Sequence, residues 1–109
     1  MITKNEIRKT LSEIKTLDKA FHICIIDDDL KDGLALKMAD KMTTLIDRIL
    51  TERTVSEWAT DDLIEAQRDI QSHIKEEDDE KSIYFDECYK MTATIRTTIT
   101  QVEVFILEK

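Results

Sequence analysis

The chain has 109 residues, of which 41% are apolar and 37% are charged, with no proline and a single glycine. This apolar content argues against disorder, and the length corresponds to one domain that can bury a core. Sheet folds rich in tight turns are disfavoured because such turns draw on glycine and proline. We therefore predict one helical domain over residues 1–109, of the all-α class, built as a small antiparallel four-helix bundle.

The net charge of −8 is concentrated in one third of the chain. Residues 54–89 hold twelve acidic and three basic side chains, whereas residues 1–53 hold ten of each. Direct binding of nucleic acid is disfavoured because phosphates require a basic surface. No apolar run approaches the roughly 20 residues that cross a bilayer, and the N-terminus lacks a secretory signal pattern. We expect a soluble, cytoplasmic protein that has no membrane partner.

The first predicted helix begins near Thr3 or Asn5, and Thr3 with Glu6 has the spacing of a capping box. Its apolar face recurs at helical spacing through these residues: Ile7, Leu11, Ile14, Leu17, Phe21 and Cys24. Towards the end of this helix, from Ala20 to Ile26, the sequence is apolar nearly all round, and helix is preferred to a buried strand there because the register is unbroken. The acidic triplet 27–29 is predicted to end this helix, and Gly33 to mark the turn.

The second predicted helix covers roughly residues 34–53, with Met38 and Met42 as core residues. The third starts at residues 54–57, which have capping-box spacing, or at the second candidate start, residues 60–62. Its apolar stripe consists of Leu63, Ala66, Ile70 and Ile74. The charged run over residues 75–81 is predicted to be a solvated loop.

The fourth predicted helix covers residues 83–107. Its apolar stripe recurs at spacings of three and four from Tyr84 to Ile106. A strand remains the alternative over residues 93–107, where β-branched residues are frequent and Val102, Val104 and Ile106 alternate. Helix is preferred because the three-four spacing persists without a slip.

The sequence offers no pattern typical of a catalytic or metal site. His73 can pair with Asp69 four residues earlier, and neither histidine has the glutamate three residues before it that a di-iron bundle uses. A single glycine rules out a glycine-rich phosphate loop. Cys24 and Cys88 lie on apolar helix faces and are interpreted as buried free thiols. We therefore expect no enzyme activity, no cofactor and no bound metal.

Acidic clustering indicates a non-catalytic protein-interaction protein: a small inhibitor, immunity protein or adaptor that docks its carboxylates on a basic site of a partner protein. One form of this hypothesis is occupation of a nucleic-acid-binding groove by mimicry of phosphates. The lone tryptophan either seals helix ends or acts as an interface hot spot. The predicted partner-binding residues are Glu57, Trp58, Asp61, Asp62, Glu65, Asp69, Glu76, Glu77, Asp78, Asp79, Glu80, Asp86 and Glu87. Plain solubility is the competing interpretation of the acidic third.

The alternative function is a structural homo-oligomer, for example a homodimer, assembled through the C-terminal helix. Few polar residues interrupt the end of that helix, so a small monomer has difficulty burying all of its apolar surface. The predicted oligomer interface consists of Val102, Val104, Phe105, Ile106 and Leu107.

Overall fold

A computed structural model of the chain describes residues 1–23, 28–84 and 86–108. The fold is mostly helical, with four α-helices and a small two-stranded sheet. The elements are, in chain order, α1 (Lys4–Ile23), α2 (Asp28–Glu52), α3 (Glu57–Ser72), β1 (Ile74–Glu77), β2 (Glu80–Ile83) and α4 (Cys88–Val102), followed by a short π-helix (Glu103–Leu107). The predicted end of the first helix near Ile26, with Cys24 on its face, lies outside the described residues.

The first helix begins where its capping residues predict. The backbone N–H of Glu6 donates to Thr3 Oγ1 at 3.1 Å, and the backbone N–H of Thr3 donates to Glu6 Oε1 at 3.4 Å. This reciprocal pair satisfies two N–H groups that the helix itself leaves open, so the predicted capping box is confirmed. Helix α3 begins at Glu57 with Ser56 at its N-cap, and the second predicted start at residues 60–62 lies inside the helix.

Helices α1 and α2 run in opposite directions, with the end of α2 beside the start of α1. Arg53, just after α2, donates to the Ile2 carbonyl just before α1, at 3.1 Å. Helix α2 also packs against α3 and α4, and α3 packs against α4. The largest fully buried side chains come from all four helices and from the N-terminal residue Ile2, and include Phe21, Met38, Met42, Leu63, Ile70 and Ile95. The core thus unites the apolar stripes that the sequence shows.

The predicted turn at Gly33 is wrong, because Gly33 lies inside α2. Helix α2 begins at Asp28, six residues earlier than the sequence pattern suggests. Gly33 is exposed, and a Cβ at this position would meet no other heavy atom within 4 Å. Nothing at this position requires glycine, so the residue marks neither a turn nor a close approach.

The predicted loop over residues 75–81 is also wrong, since it forms an antiparallel hairpin in which Ile74 pairs with Ile83 and Glu77 with Glu80. Asp78 and Asp79 connect the strands with φ angles of 49° and 67°, the left-handed pair typical of a two-residue hairpin turn. Ile83 is buried and Ile74 is half-buried, so the two apolar ends hold the hairpin to the core. The purely all-α prediction is therefore wrong at this hairpin, and the fourth helix begins at Cys88 and not at residue 83 as predicted.

The strand alternative for residues 93–107 is wrong. Helix α4 reaches Val102, and the following π-helix is closed by the bond from Glu108 N–H to the Glu103 carbonyl at 3.0 Å. Three threonine hydroxyls of α4, those of Thr97, Thr98 and Thr100, donate to carbonyls four residues back, which lets threonine fit the helix without an unsatisfied hydroxyl. None of the described helices combines the length and apolarity that a bilayer crossing requires.

Candidate acidic interaction surface

Carboxylates on α1 and at the end of α2 are paired with cations of the same chain. Lys41 Nζ lies 2.9 Å from the Glu13 carboxylate. The Arg48 guanidinium lies 2.8 Å from Glu52 and 3.5 Å from Glu6. The hydrogen bond from Lys41 lowers the pKa of Glu13, and the hydrogen bond from Arg48 lowers the pKa of Glu52. A fourth carboxylate, Asp18, pairs with Arg96 of α4 at 3.0 Å. This side of the molecule is therefore largely neutralised internally.

Helix α3 differs, because four of its carboxylates form no ion pair within the described part of the chain. These are Glu57, Asp61, Asp62 and Glu65, which we call the α3 acidic row. Three are exposed and Asp62 is half-buried. Arg68 is the one cationic side chain that the sequence places in α3, and it too makes no ion pair with the described residues. The row spans about 12 Å along the helix, so each charge lies within about one Debye length of its nearest neighbours in the row.

A groove of about 270 Å³ runs between α3 and α4 beside this row. Its α3 wall contains Asp62, Glu65 and Asp69, and its α4 wall is polar but uncharged. The α4 residues that line it are Thr94, Thr97, Thr98 and Gln101. Gln101 Oε1 is buried without a hydrogen-bond partner among the described atoms. The groove therefore presents mainly acceptors, which suits the N–H donors of lysine or arginine.

Two further predicted partner-binding residues are engaged inside the molecule. Asp69 accepts a hydrogen bond from Thr94 Oγ1 at 2.5 Å and lies 3.8 Å from His73 Nε2. Glu87 lies 3.5 Å from His73 Nδ1. The His73 side chain is only 12% exposed and joins the end of α3 to the start of α4. Asp69 thus links α3 to α4 through the hydrogen bond from Thr94, whereas His73 Nδ1, which faces Glu87, makes no hydrogen bond among the described atoms.

The hairpin carboxylates form a separate acidic region. Glu77 pairs with Lys75 at 3.0 Å, and Glu76 pairs with Lys81 at 3.7 Å. The remaining acids of the hairpin and the segment after it are exposed and have no ion pair among the described residues: Asp78, Asp79, Glu80 and Asp86. The acidic third of the sequence therefore divides into the α3 acidic row, the hairpin, and the junction at His73.

Trp58 lies at the start of α3 and is 54% exposed. Its ring packs edge-to-face against Phe105 of the π-helix, with 4.6 Å between ring centroids and 76° between planes. Among the residues of the predicted oligomer interface, Val102 and Ile106 are buried within the chain, Phe105 and Leu107 are half-buried, and Val104 is 44% exposed. The apolar surface left at this end is therefore centred on Trp58, Val104 and Phe105.

Sequence reasoning missed the groove and the contact between Trp58 and Phe105. The threonines at positions 94, 97 and 98 and Gln101 recur at helical spacing, which places them on one face of α4. The sequence therefore indicates a polar face on α4, but it does not indicate which helix packs beside that face, because this depends on the tertiary fold. No group of three or more histidine, cysteine or carboxylate side chains is arranged to hold a metal ion in the part of the chain that the structure describes.

No protein-family model matches the chain, and neither a curated protein nor a solved structure does so.

Proposed function

We propose that this protein is a non-catalytic interaction protein that docks the α3 acidic row on a basic site of a partner protein. The observation that carries the proposal is the contrast in pairing. Carboxylates of α1 and the end of α2 have cationic partners at 2.8–3.5 Å, whereas the α3 acidic row has none among the described residues. Asp29, Asp40 and four acids of the hairpin region are also unpaired among the described residues, so the proposal rests on the unpaired row together with the acceptor-lined groove beside it.

The physical chemistry of such a surface favours fast and selective association. Like-charged carboxylates on one helix repel each other, and a basic partner relieves this repulsion as it binds. Attraction of this kind mainly raises the association rate and suppresses wrong partners, and it weakens as salt is added. On an antiparallel four-helix scaffold, these properties suit a small inhibitor, immunity protein or adaptor. A partner whose basic site also binds nucleic acid is one form of this proposal.

The homo-oligomer is the weaker candidate. Val102 and Ile106, two of the five residues proposed for its interface, are already buried within the chain. A symmetric dimer through Val104 and Phe105 would also bring two copies of the α3 acidic row close together, because Trp58 at the start of α3 contacts Phe105. Repulsion between equal charges opposes that arrangement.

The test is affinity capture from a lysate of the organism that encodes the chain, using three immobilised proteins. These are the wild type, the variant Asp62→Asn/Glu65→Gln, and the control Asp29→Asn/Asp40→Asn. The control removes the same charge from exposed positions of α2 that make no ion pair with the described residues. We expect a basic protein on the wild type and the control that is lost from the α3 variant and by added salt. Equal capture by all three proteins, or capture of nothing, would refute the proposal.

A further inference from the structure

The aromatic pair at the start of α3 is a surface feature that acidic docking alone does not use. Trp58 and Val104 are 54% and 44% exposed, and Phe105, which contacts Trp58, is half-buried. Contact with Phe105 at 4.6 Å orients the indole ring before any partner arrives. A pre-oriented aromatic side chain loses little conformational freedom on binding, which is why such residues dominate interface energies.

The π-helix supplies two residues of this patch, Val104 and Phe105. Its i→i+5 bond, from Glu108 N–H to the Glu103 carbonyl, widens the last turn just where Val104 and Phe105 occur. Within this turn Ile106 is buried, whereas Val104 faces solvent and Phe105 meets Trp58. Such π-helical turns recur at functional sites, and here the turn holds Phe105 against Trp58 at the start of α3.

The charge around the patch selects the kind of partner. Asp61 and Asp62 follow Trp58 by three and four residues, so they lie about 5–6 Å from it on the same helix face. Glu57 precedes it directly, and none of the three has an ion pair among the described residues. A second copy of this chain would bring the same carboxylates to the contact, so the charge argues against self-association. The patch is complementary to an apolar side chain flanked by lysine or arginine.

We propose that Trp58, Phe105 and Val104 receive the apolar face of a basic amphipathic helix from the partner protein. An apolar residue of that helix packs on the aromatic pair, and cationic residues one turn away meet Asp61 and Asp62. The groove between α3 and α4 is lined by Asp62 and Glu65, one to two turns beyond Trp58 on the same helix, so a partner helix anchored on the aromatic pair can direct its cations towards this groove. The proposal rests on the proposed function and adds the partner's chemistry and its anchor point.

The experiment uses the whole chain and a synthetic peptide of about 18 residues, five helical turns, with leucine on one face and lysine on the other. A second peptide carries alanine in place of leucine, which keeps the charge and the helix but removes the anchor. Neither peptide contains tryptophan, so Trp58, the single tryptophan of the chain, reports binding by its fluorescence. Calorimetry gives the affinity of variants that lack Trp58.

The leucine peptide should shift Trp58 emission to the blue and bind about tenfold more tightly than the alanine peptide. Trp58→Ala and the milder Val104→Ser should each weaken leucine-peptide binding, by about tenfold or more for Trp58. The matched control is Tyr84→Ala, at an aromatic residue of similar exposure (48%), which should leave affinity unchanged. Circular dichroism checks that each variant is folded.

Three results would overturn the inference, and they separate it from the proposed function. Equal affinity for both peptides, with no effect of Trp58→Ala but weakening by Asp62→Asn/Glu65→Gln, would refute the anchor and leave acidic docking intact. Absence of binding to either lysine peptide would remove both proposals. A shift in Trp58 emission with protein concentration alone would assign the patch to a second copy of the chain.

Discussion

Replacing Gly33 with alanine should stabilise the protein. Gly33 lies inside α2 and is exposed, and a Cβ there would meet no other heavy atom within 4 Å. Glycine in a helix interior costs about 0.5–1 kcal/mol relative to alanine, because its unfolded chain has more freedom to lose. With no steric cost to offset this gain, Gly33→Ala should raise the free energy of unfolding by about that amount, or Tm by about 3–5 °C.

Thermal and urea unfolding followed by circular dichroism would measure the effect. Ala93→Gly supplies the matched control, because Ala93 is exposed in the interior of α4. It should lose about as much stability as Gly33→Ala gains. If Gly33→Ala is neutral or destabilising while Ala93→Gly shows the full loss, then α2 does not continue through position 33, and the turn suggested by the sequence is correct after all.

Three further perturbations test other parts of the structure. Asp78→Asn/Asp79→Gly should raise the free energy of unfolding, measured in urea, by about 1 kcal/mol, because both residues have positive φ angles that asparagine and glycine adopt more readily. No gain in stability would contradict the two-residue turn. Glu52→Gln should reduce the loss of stability that the protein shows on acidification, because Glu52 has a lowered pKa and its contribution is present at neutral pH and lost as the pH falls below about 4. An unchanged profile of Tm against pH would contradict the ion pair. In a Cys24→Ser background, Cys88 should react with an alkylating reagent more slowly in the folded protein than in the unfolded protein at mildly alkaline pH, because burial raises the pKa of its thiol. Equal rates in the two states would contradict the burial of Cys88.

Hydrophobic periodicity was sufficient to predict that four helices form, but not where α2 and α4 begin. Ile7, Leu11, Ile14 and Phe21 repeat at helical spacing, and all four are buried on one face of α1. The hairpin could not be found in this way, because only Ile74 and Ile83 among its eight strand residues are apolar. Its strands are short and mostly solvated, so they carry no alternation that a sequence pattern can detect. The same hairpin moved the start of the fourth helix.

The candidate surface was partly visible in the sequence. The acidic residues of α3 could be named, but which carboxylates remain unpaired depends on side chains far away along the chain. Glu13 pairs with Lys41, which is 28 positions away in the sequence, and Asp18 pairs with Arg96, which is 78 positions away. Likewise, Trp58 was recognised as a candidate anchor, whereas its contact with Phe105 depends on how α3 and the π-helix meet. Long-range pairing is set by the packing of the helices and leaves no local signal.

We propose that the α3 acidic row binds basic partners by its position and not through net charge alone. The most direct test is calorimetric titration of the leucine–lysine peptide into the wild type, Asp62→Asn/Glu65→Gln and Asp29→Asn/Asp40→Asn. The two variants carry the same net charge, so bulk attraction affects them equally. We predict about tenfold weaker binding and a shallower salt dependence for the α3 variant, as expected for two lost interfacial charge pairs, with the control unchanged. Equal weakening of both variants would contradict the claim.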